Sequence, residues 1–200
     1  MYIPKHFAMK NEDEVYAFLQ QYPFASLVSV DVDGIPEATH VPLILDENKE
    51  HLIGHFARAN HQWKTIEGQR ALAIFIGAHS YISSSWYETE EAVSTWNYES
   101  VHVYGTMGYL RDDELHDALK QLVLTYEDTF LEDSDYIEGM KKGVVGFKMK
   151  ITELQGKSKL SQNHSRDRQR RVIAKLEQSE CADDQQIAKR MKENEKNKEE

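Results

Sequence analysis

GHFARANHQWK (54–64), ALAIFIGAHSYISSSWY (71–87) and STWNYESVHVYG (94–105) decide the fold of this 200-residue chain. Aromatic rings alternate with Arg58, Asn60, Lys64 and Asn97 at strand-like spacing, and the middle phrase opens on a fully apolar run of strand length. All three tryptophans (Trp63, Trp86, Trp96) fall here, with His55, His61, His79 and His102. Two readings stand side by side. In one, the aromatics are ordinary core and interface residues, each carrying a large buried area and a polar tip. In the other, they wall a pocket for a flat ligand, with Arg58 and Lys64 as partners for a phosphate.

Working outward toward the N-terminus, HLIGHFA (51–57) reads as a strand and ANHQWKTIEG (59–68) as a short helix stopped at Gly68. Before it, FASLVSVD (24–31) and EATHVPLIL (37–45) alternate on either side of Asp33-Gly34, a strong hairpin signal. Pro36 and Pro42 would each remove a ladder donor, which places that return strand at an edge, at a bulge or beside a ligand. A first helix over 12–22 follows from Val15, Phe18, Leu19 and Tyr22 sharing one face.

Toward the C-terminus, the chain should bend at Gly77-Ala78-His79, pass through an exposed loop at ETEEAVS (88–94) and run as a long strand over 96–110. Gly105 and Gly108 mark where the chain bends or another backbone comes close. Asp112 is expected to cap a helix reaching to about Phe130. VVGFKMKITEL (144–154) is the last clear strand, and thinly apolar helices lead to KENEKNKEE (192–200), which should fray. Many consecutive strands, few helices and no strand-helix alternation favour an antiparallel barrel over a doubly wound sheet. A barrel domain over 1–163 and a helical extension over 164–200 follow.

Composition narrows the function. The charge of -10 argues against a wholly nucleic-acid-binding surface, although KSKLSQNHSRDRQRR (157–171) holds six cations against Asp167 alone. The single cysteine, Cys181, excludes an internal disulfide. No apolar run is long enough to span a membrane, and no secretory leader is visible, so a cytoplasmic protein is expected. His51 and His55 share a strand face, but no third ligand follows at a metal-binding spacing, and no metal site or catalytic residue is assigned.

Taken together, MYIPKHF (1–7), GHFARANHQWK, IFIGAHSYISSSWY (74–87), STWNYESVHVYG and KLSQN (159–163) are specific. Over nearly the whole chain up to its C-terminal helix, the sequence resembles the PaiB family, a branch of the FMN-binding split-barrel proteins. The resemblance implies a predominantly β fold with flanking helices: a Greek-key split β-barrel of six strands, dimeric, with FMN at the dimer interface. It also implies that His55, Arg58, Asn60 and Lys64 meet the phosphate. Thr39, His40 and Val41 would meet the ring edge, and Trp96, Asn97 and Tyr98 would come from the partner or the opposite wall. Two departures stand out: the family usually has proline where this chain has Ser84 and Ser94, which should loosen those loops.

The function so implied is negative transcriptional regulation of sporulation and of protease synthesis, through direct DNA contact at 157–171, a protein partner or flavin chemistry. The alternative is an FMN-dependent oxidoreductase similar to pyridoxamine phosphate oxidases, in which the cofactor carries the redox step. Haem binding on the same barrel would need an axial ligand such as His79 or His164.

Overall fold

The structure is a computed structural model that describes residues 1–9, 11–88, 92–131 and 134–196. Residues 89–91 of the expected loop and 197–200 of the expected fraying tail lie outside the described residues. Its strands are β1 (Phe24–Val30), β2 (Pro36–Pro42), β3 (Ile44–Leu45), β4 (His51–Ala57), β5 (Arg70–Ile82), β6 (Thr95–Tyr109) and β7 (Val144–Lys159). Its helices are α1 (Glu12–Gln21), α2 (Asp112–Leu124), α3 (Ser134–Gly143), α4 (Arg166–Leu176) and α5 (Ala182–Lys196). None is long and apolar enough to cross a membrane.

The seven strands form one antiparallel sheet in the order β2-β1-β5-β6-β7-β4-β3. Its two edges are consecutive in the chain: β2 and β3 are divided only by Leu43, so residues 36–45 pass from one edge of the sheet to the other. That connection curls the sheet toward a barrel and limits the exposed edge. Both prolines lie on edge strand β2, where a missing donor costs no interior ladder bond. The seventh strand, against the six implied by resemblance, is β3, two residues long.

The chain divides into two units. One, the barrel unit, takes Asp13–Phe75 and His102–Leu154; the other, the helical unit, takes Met1–Glu12, Ile76–Val101 and Gln155–Glu200. In the barrel unit, alternation turns Ala25 and Leu27 of β1, Leu52 and Phe56 of β4, and Phe147 and Met149 of β7 inward, all at most 1% exposed. The Phe56 and Phe147 rings lie 4.7 Å apart between centroids. Gly54 has no side chain because a Cβ there would stand 2.7 Å from Leu43 and 2.9 Å from Phe147. At Gly105 the obstacle is backbone: a Cβ would meet the Lys150 carbonyl at 2.5 Å, so of the two expectations for this glycine the close approach holds. Gly108 has no such contact, its nearest neighbour being 4.0 Å away.

The helical unit builds its core differently. Gln169, Val172, Ile173 and Leu176 recur at helical spacing on α4, and Ile187, Ala188 and Met191 on α5. These apolar faces bury Ala78, Ile82, Tyr87 and Leu160 with them.

Three expectations need correction. No break occurs at Gly77-Ala78-His79; β5 runs on to Ile82, and its alternation slips by one residue there, with both Gly77 and Ala78 buried. Helix α2 stops at Leu124, where the Thr125 hydroxyl donates to the Gln121 carbonyl at 2.8 Å and competes with further helix. Its N-cap is Arg111 rather than Asp112, and the Glu114 carboxylate accepts from the Arg111 N–H at 2.9 Å. Helix α3 carries Gly139 and few apolar residues, so it leaves no readable stripe; Ile137 is its buried apolar residue.

Candidate functional site

The strand β4 delivers its chain end, Ala57–Asn60, into a 3-10 turn over Gln62–Thr65. Polar groups pin this turn. Gln62, 3% exposed, accepts from the Thr39 hydroxyl at 2.5 Å and donates to the Ser29 hydroxyl at 2.9 Å and the Leu27 carbonyl at 3.2 Å. Asn60 donates to Thr39 at 2.8 Å and accepts from the Gln62 N–H at 2.9 Å. Thr39 and Asn60, expected at a ligand, are therefore joined through a residue that sequence reasoning passed over. Gln62 gives no sequence signal of its own, because a glutamine in HQWK looks like any exposed turn residue.

Arg58 also has a precise local task. Its Nε donates to the Lys142 carbonyl at 2.8 Å, and its Nη2 to the Val144 carbonyl at 2.6 Å and the Lys141 carbonyl at 3.5 Å. The guanidinium thus satisfies the Lys141 and Lys142 carbonyls at the C-terminal end of α3, which the helix itself leaves open, and the first carbonyl of β7. The Arg58 carbonyl in turn accepts from the Trp63 indole N–H at 3.0 Å. One residue ties the turn to the junction of α3 and β7. Lys64, on the same turn, is exposed, and no partner for its ammonium exists among the described residues.

His55 projects from β4 toward a cavity of about 410 Å³ bordered by Pro42, Leu119, Leu122, Met140 and Val144. Burial holds its imidazole below the ordinary histidine range, and its buried Nδ1 has no hydrogen-bond partner. A neutral ring facing apolar walls suits a hydrogen bond to a heterocycle better than a phosphate. His40 is exposed, its Nδ1 2.9 Å from the Ser26 hydroxyl and its ring stacked on Phe24, whereas Val41 is buried in the core.

The remaining expected residues belong to the helical unit. Trp96, 51% exposed, packs against His79 and Tyr81. Asn97 is fully buried and donates to the Ser161 hydroxyl at 3.0 Å. Tyr98 lies under the Lys157 ammonium, 5.0 Å from the ring centroid. Ser84 and Ser94, singled out in the sequence, are bonded to each other, the Ser84 N–H donating to Ser94 Oγ at 2.9 Å. A proline at 84 would have no N–H to give and would remove this bond across the loop.

The basic run 157–171 is largely engaged. Lys157 is 8% exposed and donates to the Tyr2 carbonyl at 3.1 Å. Arg168 and Arg171 both reach Glu88, at 2.8 and 3.9 Å, and Arg170 pairs with Glu195 at 3.0 Å.

A family model described as "Putative FMN-binding domain" matches residues 1–153. The chain is 40% identical over 201 residues to "Protease synthase and sporulation protein PAI 2" of Bacillus subtilis (strain 168), covering 96% of each. Among solved structures it is similar to the FAD and heme binding protein of Mycobacterium smegmatis, with TM-score 0.61 and 15% identity over 80% of this chain and 76% of that one. It is also similar to the flavocytochrome Anf3 of Azotobacter vinelandii, with TM-score 0.60 and 17% identity over 78% and 72%. At such identities the two structures speak to the fold alone.

Proposed function

The chain belongs to the FMN-binding-domain family that matches residues 1–153, with the Bacillus subtilis PAI 2 protein as a relative, and from that membership we propose a flavin-binding regulator of protease synthesis and sporulation. The single observation that carries the flavin reading is Lys64: a cation without a partner among the described residues, on a turn that Gln62, Asn60 and Thr39 hold in place. A terminal phosphate fits that arrangement, since the site is set before the ligand arrives and the charge is unclaimed. In this reading Lys64 meets the phosphate, Arg58 positions the turn through the α3 carbonyls, and His55 offers its free Nδ1 to a ring heteroatom. Bound FMN would supply one- and two-electron redox chemistry.

The protein is read as a cytoplasmic homodimer whose regulatory output passes through a protein partner or the flavin. The engagement of Lys157, Arg168, Arg170 and Arg171 by groups of the chain itself supports that choice over direct DNA contact.

FMN and riboflavin titrations of the full chain test this. Lys64→Ala should weaken FMN roughly five- to thirtyfold, about 1–2 kcal/mol, and leave riboflavin unchanged. Arg58→Ala should weaken both ligands alike and lower the melting temperature, as a positioning residue would. Absence of flavin binding at micromolar protein, or equal losses of FMN and riboflavin in Lys64→Ala, would sink the phosphate assignment.

A further inference from the structure

The KLSQN segment is the motif that the flavin reading leaves without a task. It forms the end of β7 and the turn into α4, and it borders a cavity of about 390 Å³ that lies wholly within the helical unit. That volume is in the range of sites for small metabolites. The walls include Thr95, Asn97, Lys159, Ser161, His164 and Arg168.

The charge pattern identifies the ligand class. Arg168 is matched by Glu88, but Lys159 is bonded only to the neutral hydroxyl of Thr95 and has no carboxylate partner among the described residues. A half-buried ammonium without a counter-charge is costly to maintain in a folded chain. Burial and the neighbouring Lys157 pull the Lys159 ammonium below its ordinary pKa, and burial, with Arg168 and Lys159, does the same for the His164 imidazole. Burial is the larger cause of both shifts, the neighbouring cations add to it, and at His164 the Glu88 carboxylate works against it. The His164 ring packs tilted against Tyr87, 5.0 Å between centroids, and its ring nitrogens have no partner among the described residues.

The walls are also fixed in advance. Asn97 and Ser161 are buried, at 0% and 2% exposure, and hydrogen-bond each other. Ser161 holds φ at 63°, the left-handed region that a non-glycine residue occupies only when its surroundings demand it. The Gln162 side chain locks the turn by accepting from the Leu160 N–H and donating to the Ser158 carbonyl, both at 2.6 Å. The N-terminus of α4, capped by Ser165, adds partial positive charge at this end of the unit.

We propose that this cavity binds a small metabolite carrying an oxyanion group, a carboxylate or a phosphate monoester, with Lys159 as counter-charge and Thr95 and His164 as hydrogen-bonding partners. The site is separate from the flavin reading and does not rest on it. A regulator with such a pocket would respond to the concentration of an anionic metabolite.

The test titrates the full chain with inorganic phosphate, glycerol phosphate and citrate at constant ionic strength, following the His164 ring proton by NMR and the melting temperature. A saturable shift of His164 is expected with at least one probe, and the probe that saturates at the lowest concentration tells phosphate from carboxylate. Lys159→Gln should raise the half-saturating concentration of the His164 shift tenfold or more, and Thr95→Val severalfold. If Lys159→Gln does not fold, Thr95→Val and the wild-type titration still decide. A response that never saturates, that sodium chloride reproduces, or that both cavity variants retain unchanged would overturn the site. So would one-for-one displacement of the probe by FMN, which would make the cavity part of the flavin site. Probe binding with no flavin binding would uphold this proposal while removing the other.

Discussion

The barrel unit and the helical unit solve the same problem, burial of a core, by different physical means. In the barrel unit the interior is almost purely apolar, and polar groups such as Gln62, Asn60 and Arg58 are employed where strands end and turns begin. The helical unit carries an ion pair inside. Glu99, 1% exposed, accepts from Arg190 Nε at 2.8 Å and Nη2 at 3.0 Å and from the Ser158 hydroxyl at 2.9 Å, while Arg190 also reaches Glu193 at 2.7 Å. Alternating strands can hide their apolar faces in a closing sheet with little help. Two thinly apolar helices need directional contacts to choose one seating among several, and a bidentate pair provides them.

The largest expected effect tests that contrast. Arg190→Met leaves Glu99 buried without its partner and should cost about 3–5 kcal/mol in chemical denaturation, while Glu99→Gln combined with Arg190→Met should recover much of the loss. A cost below about 1 kcal/mol would erase the distinction between the units. Next comes the barrel unit's own weak point. Gly105→Ala should destabilise by roughly 1–3 kcal/mol because its new methyl meets the Lys150 backbone. Gly108→Ala, on the same fifteen-residue strand β6 but with room for a methyl, should be near neutral.

The smallest effect concerns Glu114 in the first turn of α2. The Arg111 N–H, followed by the Lys148 ammonium, holds the Glu114 carboxyl at about 2, below its ordinary 4.5. A depressed folded-state pKa means that this contribution is present above pH 4.5 and is lost as pH falls through about 2. The side chain is 28% exposed, so solvent screening limits the effect to about 1 kcal/mol or less. Stability measured from pH 5 down to pH 2 should therefore fall less steeply in Glu114→Gln than in the parent chain. An identical slope in both would remove Glu114 from the account of acid sensitivity.

Much of the barrel was legible in the sequence because period-two alternation is local: β1, β4 and β6 lie within a residue or so of where the pattern puts them. What was not legible depends on distant partners. The tasks of Gln62 and Arg58 are set by Leu27, Ser29 and the 141–144 carbonyls, none of which is near them in the chain. Helix α3 was missed because packing, rather than a stripe of its own, holds it. The phase slip in β5 escaped notice because Gly77 and Ala78 fit either face. At the candidate site, the sequence pointed to Lys64 and Arg58 together, and only the geometry separates the unclaimed cation from the one already holding a helix end.

The pairing of β4 with β7 has a consequence for how the protein is made. His51 lies opposite Lys150 and Ala57 opposite Val144, so a strand finished early in synthesis waits for a partner about ninety residues downstream. At roughly 5–20 residues per second, the ribosome leaves the apolar side chains of β4 without that cover for about 5–20 seconds. The nascent chain is thus a client for chaperones over this interval, and chains arrested before Val144 emerges should be far more protease-sensitive than chains released after Lys150.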